Sequence, residues 1–161
     1  MDDSVAEHSS PLRILIADDS DSDRLILKTL LKRLGHEVLD VANGLDAVSV
    51  FQRESPDLVL LDALMPIMDG MEAARQIKIL AGERLVPLIF LTSLSEAGAL
   101  ARCLEAGGDA FLGKPYNRLI IEAQIKAFNR MRPMHHTLSD QHALASQRTR
   151  PRPQPPESAP A

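Results

Sequence analysis

The stretch that decides the fold is LLDALMPIMDG, which runs from Leu60 to Gly70. It continues an apolar run, DLVL at 57–60, and places Asp62 directly after the last leucine. An apolar run without polar alternation is typical of a strand that is covered on both faces, as in a parallel sheet. A carboxylate at the end of such a strand is costly to bury unless a partner compensates its charge. The stretch therefore predicts a central strand that delivers a charged group to one edge of a sheet.

Outward from this stretch, short β-rich runs alternate with longer amphipathic segments, which is the pattern of an α/β fold. We predict a doubly wound, five-stranded parallel sheet with helices on both faces. Right-handed crossovers bring the carboxyl ends of all strands to the same edge, where open α/β sheets bind ligands. The predicted strands are Leu12–Ala17, Glu37–Val41, Asp57–Leu61, Val86–Leu91 and Ala110–Gly113, and the predicted helices lie near Asp21–Leu34, Leu45–Arg53, Met71–Leu80, Glu96–Ala106 and Asn117–Met131.

Composition limits the class of protein. The 161 residues, 45% of them hydrophobic, suffice for one domain with tails. The net charge of -4 gives no strong electrostatic case for binding nucleic acid or an anionic membrane. Cys103 is the only cysteine, which excludes an internal disulfide and fits a reducing, cytoplasmic location. The acidic N-terminus has no apolar signal region, and every apolar run is far shorter than the ~20 residues of a membrane helix.

Polar side chains follow four of the five predicted strands. Asp18 and Asp19 follow the first, Asp62 the third, Thr92 the fourth and Lys114 the fifth. Two like charges ~4 Å apart repel by about 4 kcal/mol at an effective dielectric constant of 20, so three converging carboxylates call for a cation or for raised pKa values. Carboxylate oxygens with room for water suit Mg²⁺, and Mn²⁺ accepts the same ligands.

These residues predict phosphoryl chemistry. We expect Asp19 and Asp62 to be direct metal ligands and Asp18 to act through water. A carboxylate beside a metal ion and a lysine is a plausible nucleophile toward phosphorus. Lys114 would neutralise the charge on the phosphoryl oxygens and Thr92 would donate a hydrogen bond to one of them. The expected product is an aspartyl phosphate on Asp62.

At these separations DDS (18–20), LLDALMPIMDG, LTS (91–93) and KP (114–115) resemble the receiver domain of bacterial two-component response regulators, of the chemotaxis-regulator type. The resemblance covers Leu12 to Met131. It implies a flavodoxin-like sheet of order 2-1-3-4-5 and Mg²⁺-dependent transfer of a phosphoryl group to Asp62 from a histidine kinase or a phosphotransfer protein. It also implies that the backbone carbonyl of Leu64 completes the metal shell, and that the face of helix 4, strand 5 and helix 5 switches on phosphorylation.

Four positions refine the expected behaviour. Thr92 and Phe111 are the switch residues that the resemblance implies, and Phe111 stands where many relatives carry tyrosine. Leu64 and Leu94 are apolar where many relatives carry polar groups that orient an attacking water. We therefore predict slow self-dephosphorylation of a regulatory domain that is not otherwise an enzyme.

Two other functions remain open at the level of sequence. A phosphatase of the haloacid dehalogenase type also combines Asp, Mg²⁺ and Lys, but it needs an acid two residues after the nucleophile, where this chain has Leu64, and usually a cap domain. A receiver-like scaffold that is never phosphorylated is the other alternative, and failure to take up phosphate from acetyl phosphate with Mg²⁺ would favour it.

The chain divides into four predicted parts: a disordered N-terminal tail at 1–11, the receiver at 12–132, a possible linker helix at 133–147 and a disordered Arg/Pro-rich tail at 148–161. The linker segment, with His135, His136 and His142, is expected to be a solvated helix face rather than a metal site or a stable coiled coil.

No output domain is visible. Either the chain works alone through the switch face, or it is a fragment that leads to a PP2C-type phosphatase or a diguanylate cyclase. A homodimer through the switch face or the linker is possible.

Two short-range interpretations concern helix ends. Ser20 with Asp23 three residues later approximates a capping box, so the acidic run after the first strand could serve only to cap a helix. Asp69 is predicted to be the N-cap of the third helix.

Overall fold

A computed structural model describes residues 10–93 and 97–131, and these form one parallel sheet with helices on both faces. The strand order β2-β1-β3-β4-β5 confirms the predicted 2-1-3-4-5 arrangement. All four neighbouring strand pairs are parallel. The strands are β1 (Arg13–Ala17), β2 (Glu37–Val41), β3 (Leu58–Asp62), β4 (Leu88–Thr92) and β5 (Ala110–Gly113).

The helices follow the predicted order along the chain, and four of them begin at a side-chain cap. At the start of the last helix, Asn117 Oδ1 accepts the backbone N–H of Ile120 at 3.2 Å. Ser20, Asn43 and Asp69 likewise each accept a hydrogen bond from the backbone N–H three residues later, which satisfies a donor that the first helical turn leaves unpaired. The predicted role of Asp69 is thereby confirmed. The helices are α1 (Asp21–Arg33), α2 (Gly44–Glu54), α3 (Gly70–Ala81), α4 (Ala97–Glu105) and α5 (118–131).

The sheet separates two apolar layers. Every residue of β3 and β4 is buried, as the unbroken apolar runs predict for central strands. On one face, Leu27 and Leu31 of α1 and Ile121 and Ile125 of α5 cover the sheet. On the other face the cover comes from α2, α3 and α4, with Phe51 among the buried side chains. The carboxyl ends of the strands are left at one edge, where the loops can form a site.

Three of the five strands were predicted with wrong boundaries: β1 starts at Arg13, one residue later than predicted, and β3 and β4 differ at both ends. β3 starts at Leu58. Asp57 still donates its backbone N–H to the Arg13 carbonyl at 2.8 Å, but the N–H of Arg13 is accepted at 2.9 Å by the side chain of Asp57. β4 starts at Leu88 because Pro87 has no N–H to give to a ladder. Both strands run one residue further than predicted, so Asp62 and Thr92 are the last residues of their strands. Strand geometry therefore fixes the backbone of both residues.

Several expectations lie outside the described residues. These are Leu94, most of the N-terminal tail (1–9), the possible linker helix with its three histidines, and the Arg/Pro-rich tail. Of the predicted tail, Ser10 is described, and its carbonyl accepts the side-chain amide of Asn129 at 2.9 Å. Among the described helices, none has the length and hydropathy needed to cross a membrane.

Candidate functional site

Asp62 lies at the end of the central strand, and the next loop closes over it. Only 6% of its surface is exposed. The backbone N–H of Leu64 donates to Asp62 Oδ1 at 3.2 Å, and the N–H of Gly70 donates to the carbonyl of Ala63 at 2.9 Å. A Cβ at Gly70 would lie 2.0 Å from the Asp62 carbonyl oxygen. Glycine at position 70 therefore lets α3 start directly against the carboxyl end of β3.

Asp18 enters the same edge from the neighbouring strand β1. Its backbone N–H still pairs with the carbonyl of Val41 in β2 at 3.1 Å, and its carbonyl accepts Arg24 Nη1 at 2.6 Å. The residue is fully buried. The N–H of Ser20 donates to Asp18 Oδ1 at 2.9 Å. The backbone of the β1–α1 loop is thus held on both sides of the carboxylate.

Lys114 joins these carboxylates from the far strand β5, which it follows directly. Its Nζ lies 3.0 Å from Asp62 Oδ2 and 3.2 Å from Asp18 Oδ2. The same amine is 3.4 Å from Asp23 Oδ2 in the first turn of α1. The predicted convergence of one lysine with the strand-end carboxylates is observed, and Asp23, considered from sequence only as a capping residue, belongs to the cluster.

Tyr116 is a second residue, besides Asp23, that was not predicted from the sequence to belong to the site. Its hydroxyl donates to Asp18 Oδ2 at 2.7 Å. It lies two residues beyond Lys114, whereas the predicted site consisted of residues that directly follow the strands. The available signal was that Tyr116 is the only tyrosine of the chain and directly follows the Lys114-Pro115 pair.

Burial and neighbouring charges shift the pKa values of the site residues in opposite directions. Burial raises the pKa of the Asp62 carboxyl to about 6, although hydrogen bonds from Lys114 and the Leu64 N–H pull it down. Burial alone would lower the pKa of Lys114, but its interactions with Asp62 and Asp18 together raise it. The lysine therefore stays charged, and its single positive charge only partly compensates the negative charges of the carboxylates around it.

The residues fit a divalent cation. Asp18, Asp19 and Asp62 each offer a carboxylate oxygen, and these oxygens lie within 4.8 Å of one another. Asp19 is exposed whereas the other two are buried, so the cluster opens to solvent on the side of Asp19. Hard oxygen ligands with an open, solvated side are the combination that Mg²⁺ takes, because it keeps part of its water shell.

The remaining predicted residues surround this cluster. Thr92 is buried at the end of β4, and its carbonyl accepts the backbone N–H of Lys114 at 3.0 Å. Phe111 lies in β5 opposite Phe90 and packs against the core on the side of α2 and α3. Leu64 is 56% exposed in the loop after Asp62. Their backbone positions agree with the expected site, and their roles remain predictions.

Comparison with known proteins identifies the family and supports the fold. The family model described as "Response regulator receiver domain" matches residues 14–126. The chain belongs to the response regulator receiver family. This receiver is 39% identical over 115 residues to a probable transcriptional regulator, ycf27, of Porphyridium aerugineum, an alignment that covers 71% of this chain and 47% of the relative. It is 35% identical over 113 residues to the transcriptional regulatory protein PdtaR of Mycobacterium tuberculosis, covering 70% and 54%. The receiver thus spans about half the length of the curated relatives it matches.

Solved structures agree with this family. A CheY-like response regulator receiver domain protein from Methanospirillum hungatei superimposes with a TM-score of 0.72 at 27% identity, over 78% of this chain and 99% of that one. The receiver domain of a sensor histidine kinase from Pseudomonas aeruginosa superimposes with a TM-score of 0.69 at 31% identity, over 74% and 98%, and carries a magnesium ion in its active site cleft. The predicted flavodoxin-like, chemotaxis-regulator type of fold is confirmed.

Proposed function

We propose that this receiver accepts a phosphoryl group on Asp62 in a reaction that depends on Mg²⁺ or Mn²⁺. The observation that carries the proposal is the contact between Lys114 Nζ and Asp62 Oδ2, at 3.0 Å, inside a cluster of three carboxylates. A structural ion pair needs one acid and one base. Here one lysine serves three acids, Asp18, Asp23 and Asp62, which leaves negative charge for a cation to balance.

The donor is a phosphohistidine of a histidine kinase or of a phosphotransfer protein. An oxygen of Asp62 attacks the phosphorus and a new P–O bond forms. The P–N bond of the phosphohistidine breaks, and its electron pair stays on the imidazole nitrogen of the donor. Attack requires an ionised carboxylate, and with a pKa of about 6 Asp62 is largely ionised at neutral pH.

Three groups of this chain would act on the transferred phosphoryl group. Lys114 shifts from the carboxylates to a phosphoryl oxygen, and Thr92 donates a hydrogen bond to another. A cation held by Asp18, Asp19, Asp62 and the carbonyl of Leu64 supplies positive charge for the oxygens when it is bound. Asp19 and Asp62 would be the direct carboxylate ligands, Asp18 would act through water, and the Leu64 carbonyl would complete the shell.

The output is a change of the face built by α4, β5 and α5, with Thr92 and Phe111 as the residues that carry the switch. Because the chain spans about half of its curated relatives, the partner is a separate protein or a further domain. Those relatives are named transcriptional regulators. A PP2C-type phosphatase or a diguanylate cyclase is the alternative output. The cellular location is the cytoplasm, and this face or the segment after 131 can also support a homodimer.

The test is phosphate-affinity electrophoresis after incubation with acetyl phosphate and Mg²⁺. Wild-type protein should give a shifted band that disappears with a chelator, while Asp62→Asn should give none. Asp46→Asn, at an exposed carboxylate at the start of α2, is the matched control and should shift like wild type. A shift that persists in Asp62→Asn would refute the site, and no shift in any sample would favour the scaffold alternative. The phosphatase alternative is weakened by the leucine at position 64.

A further inference from the structure

We infer that Tyr116 is a positioning residue of the acidic site, whose hydroxyl fixes the orientation of Asp18 toward the bound cation. The inference rests on the proposed function of this site as a divalent-cation site. It concerns a residue outside the strand-end motifs.

Each oxygen of the Asp18 carboxylate receives one donor with a fixed position. The backbone N–H of Ser20 donates to Oδ1 at 2.9 Å, and the Tyr116 hydroxyl donates to Oδ2 at 2.7 Å. Lys114 reaches both oxygens, at 3.4 and 3.2 Å, but it does so at the end of a flexible stem that also contacts Asp62 and Asp23. The two fixed donors therefore set the plane of the carboxylate, and the lysine does not.

The hydroxyl of Tyr116 is a dependable donor. Burial, together with the hydrogen bond to Asp18, raises the pKa of this phenol far above its ordinary value, so it keeps its proton. The ring is held as well, because it packs against the buried apolar cluster that includes Leu30 of α1 and Ile121 of α5, beside a groove between these two helices. Rotation of the ring away from Asp18 would break these contacts.

The two fixed donors leave part of the acceptor capacity of the Asp18 carboxylate unused. An ionised carboxylate accepts about four hydrogen bonds, and the two fixed donors occupy one position on each oxygen. Lys114 Nζ lies 3.4 and 3.2 Å from the two Asp18 oxygens. If it moved to a phosphoryl group, the positions that it occupies on those oxygens would become available to a water bound to the cation. Groups that orient a metal ligand without touching the metal typically contribute 10- to 100-fold to affinity.

The test measures Mg²⁺ affinity by calorimetry in wild type, Tyr116→Phe, Asp18→Ala and the double variant. Tyr116→Phe should bind roughly ten-fold more weakly. In the Asp18→Ala background the same change should have no further effect, because the hydroxyl acts through Asp18. Thr29→Val removes a hydroxyl from the same groove without a contact to the cluster, and it should bind Mg²⁺ like wild type.

A second measurement uses the wild type alone. The chain has no tryptophan and one tyrosine, so its intrinsic emission comes from Tyr116. A phenol that donates to a carboxylate is quenched, and Asp18→Ala should raise the emission. Saturating Mg²⁺ should leave the wild-type emission low, because the hydroxyl stays on Asp18.

The outcomes separate this inference from the proposed function. Equal or tighter Mg²⁺ binding by Tyr116→Phe would overturn the inference and leave the cation site intact. So would a rise of wild-type emission with Mg²⁺ to the level of Asp18→Ala, which decides the question even if Tyr116→Phe does not fold. Absence of Mg²⁺ binding by the wild type would overturn the proposed function and the inference with it.

Discussion

Lys114 Nζ lies 3.0 Å from Asp62 Oδ2, yet burial still raises the pKa of the Asp62 carboxyl to about 6. The same amine contacts Asp18 and Asp23, so its charge is shared among three acids. The desolvation penalty of the buried carboxylates exceeds the Coulombic attraction to a lysine that they share. The cluster therefore disfavours the ionised form of its central acid until further positive charge arrives.

This relationship predicts how stability depends on pH. The folded-state pKa of Asp62 lies above the unfolded value of about 3.8, so the unfolded chain releases this proton first as the pH rises. Stability from this group is complete below pH 4, falls between pH 4 and 6 and is lost above the folded pKa. Asp62→Asn stays neutral throughout. It should match wild type near pH 4 and be more stable by about 2–3 kcal/mol at pH 7.

The measurement is urea unfolding of both proteins from pH 4 to 8 in the presence of a chelator. Glu83→Gln removes an exposed carboxylate and should give a difference that stays small and constant across this range. The electrostatic account would be wrong if Asp62→Asn were less stable than wild type at pH 7.

The loop after β3 gives a prediction about close packing. A methyl group at position 70 would lie 2.0 Å from the Asp62 carbonyl oxygen, a backbone atom that cannot move without distorting the strand end. Gly70→Ala should lower the free energy of unfolding by about 3 kcal/mol and weaken Mg²⁺ binding, since Asp62 is displaced. Thermal unfolding and calorimetry measure the two effects.

The control is Gly98→Ala in α4, where a methyl group would be 3.8 Å from a side-chain atom of Arg102. This change should be neutral or stabilise by about 0.5–1 kcal/mol. Equal unfolding midpoints for the two variants would contradict the close packing of position 70 against the backbone of Asp62.

The lifetime of the phosphorylated state is the third prediction. Leu64 is exposed beside Asp62 and has no polar group to orient an attacking water. Leu64→Asn should shorten the lifetime of the aspartyl phosphate, measured by its decay after removal of acetyl phosphate. Ile67→Asn is a matched control in the same exposed loop, where the backbone φ of 71° is one that asparagine tolerates, and it should leave the lifetime unchanged. A longer lifetime in Leu64→Asn would contradict the prediction.

The part of the site at the strand ends could be predicted from the sequence, because the hydrophobic pattern and the parallel topology determine where the strands end. Unbroken apolar runs place β3 and β4 in the centre of the sheet, and parallel strands bring Asp18, Asp62 and Lys114 to one edge. Asp23 and Tyr116 were missed as members of the cluster because their side chains reach it from the first turn of α1 and from beyond the β5 end. Those directions depend on how the loops pack, which no periodicity encodes.

The positive φ of Ile67 was equally beyond sequence reasoning. A β-branched residue is unfavourable in this conformation. The neighbouring loop residue Met68 gives its carbonyl to the N–H of Gly44 at 3.1 Å, which anchors the loop to the start of α2. Tertiary contacts of this kind override the backbone preference of the individual residue.

The central claim is that Asp62 accepts a phosphoryl group in a cation-dependent reaction. The most direct measurement is the intact mass of the protein after incubation with acetyl phosphate, with Mg²⁺ or with a chelator, for wild type and Asp62→Asn. We expect the mass of one added phosphoryl group only for wild type with Mg²⁺, and its loss on treatment with hydroxylamine, which cleaves acyl phosphates. The same added mass on Asp62→Asn, or on wild type without a divalent cation, would contradict the account.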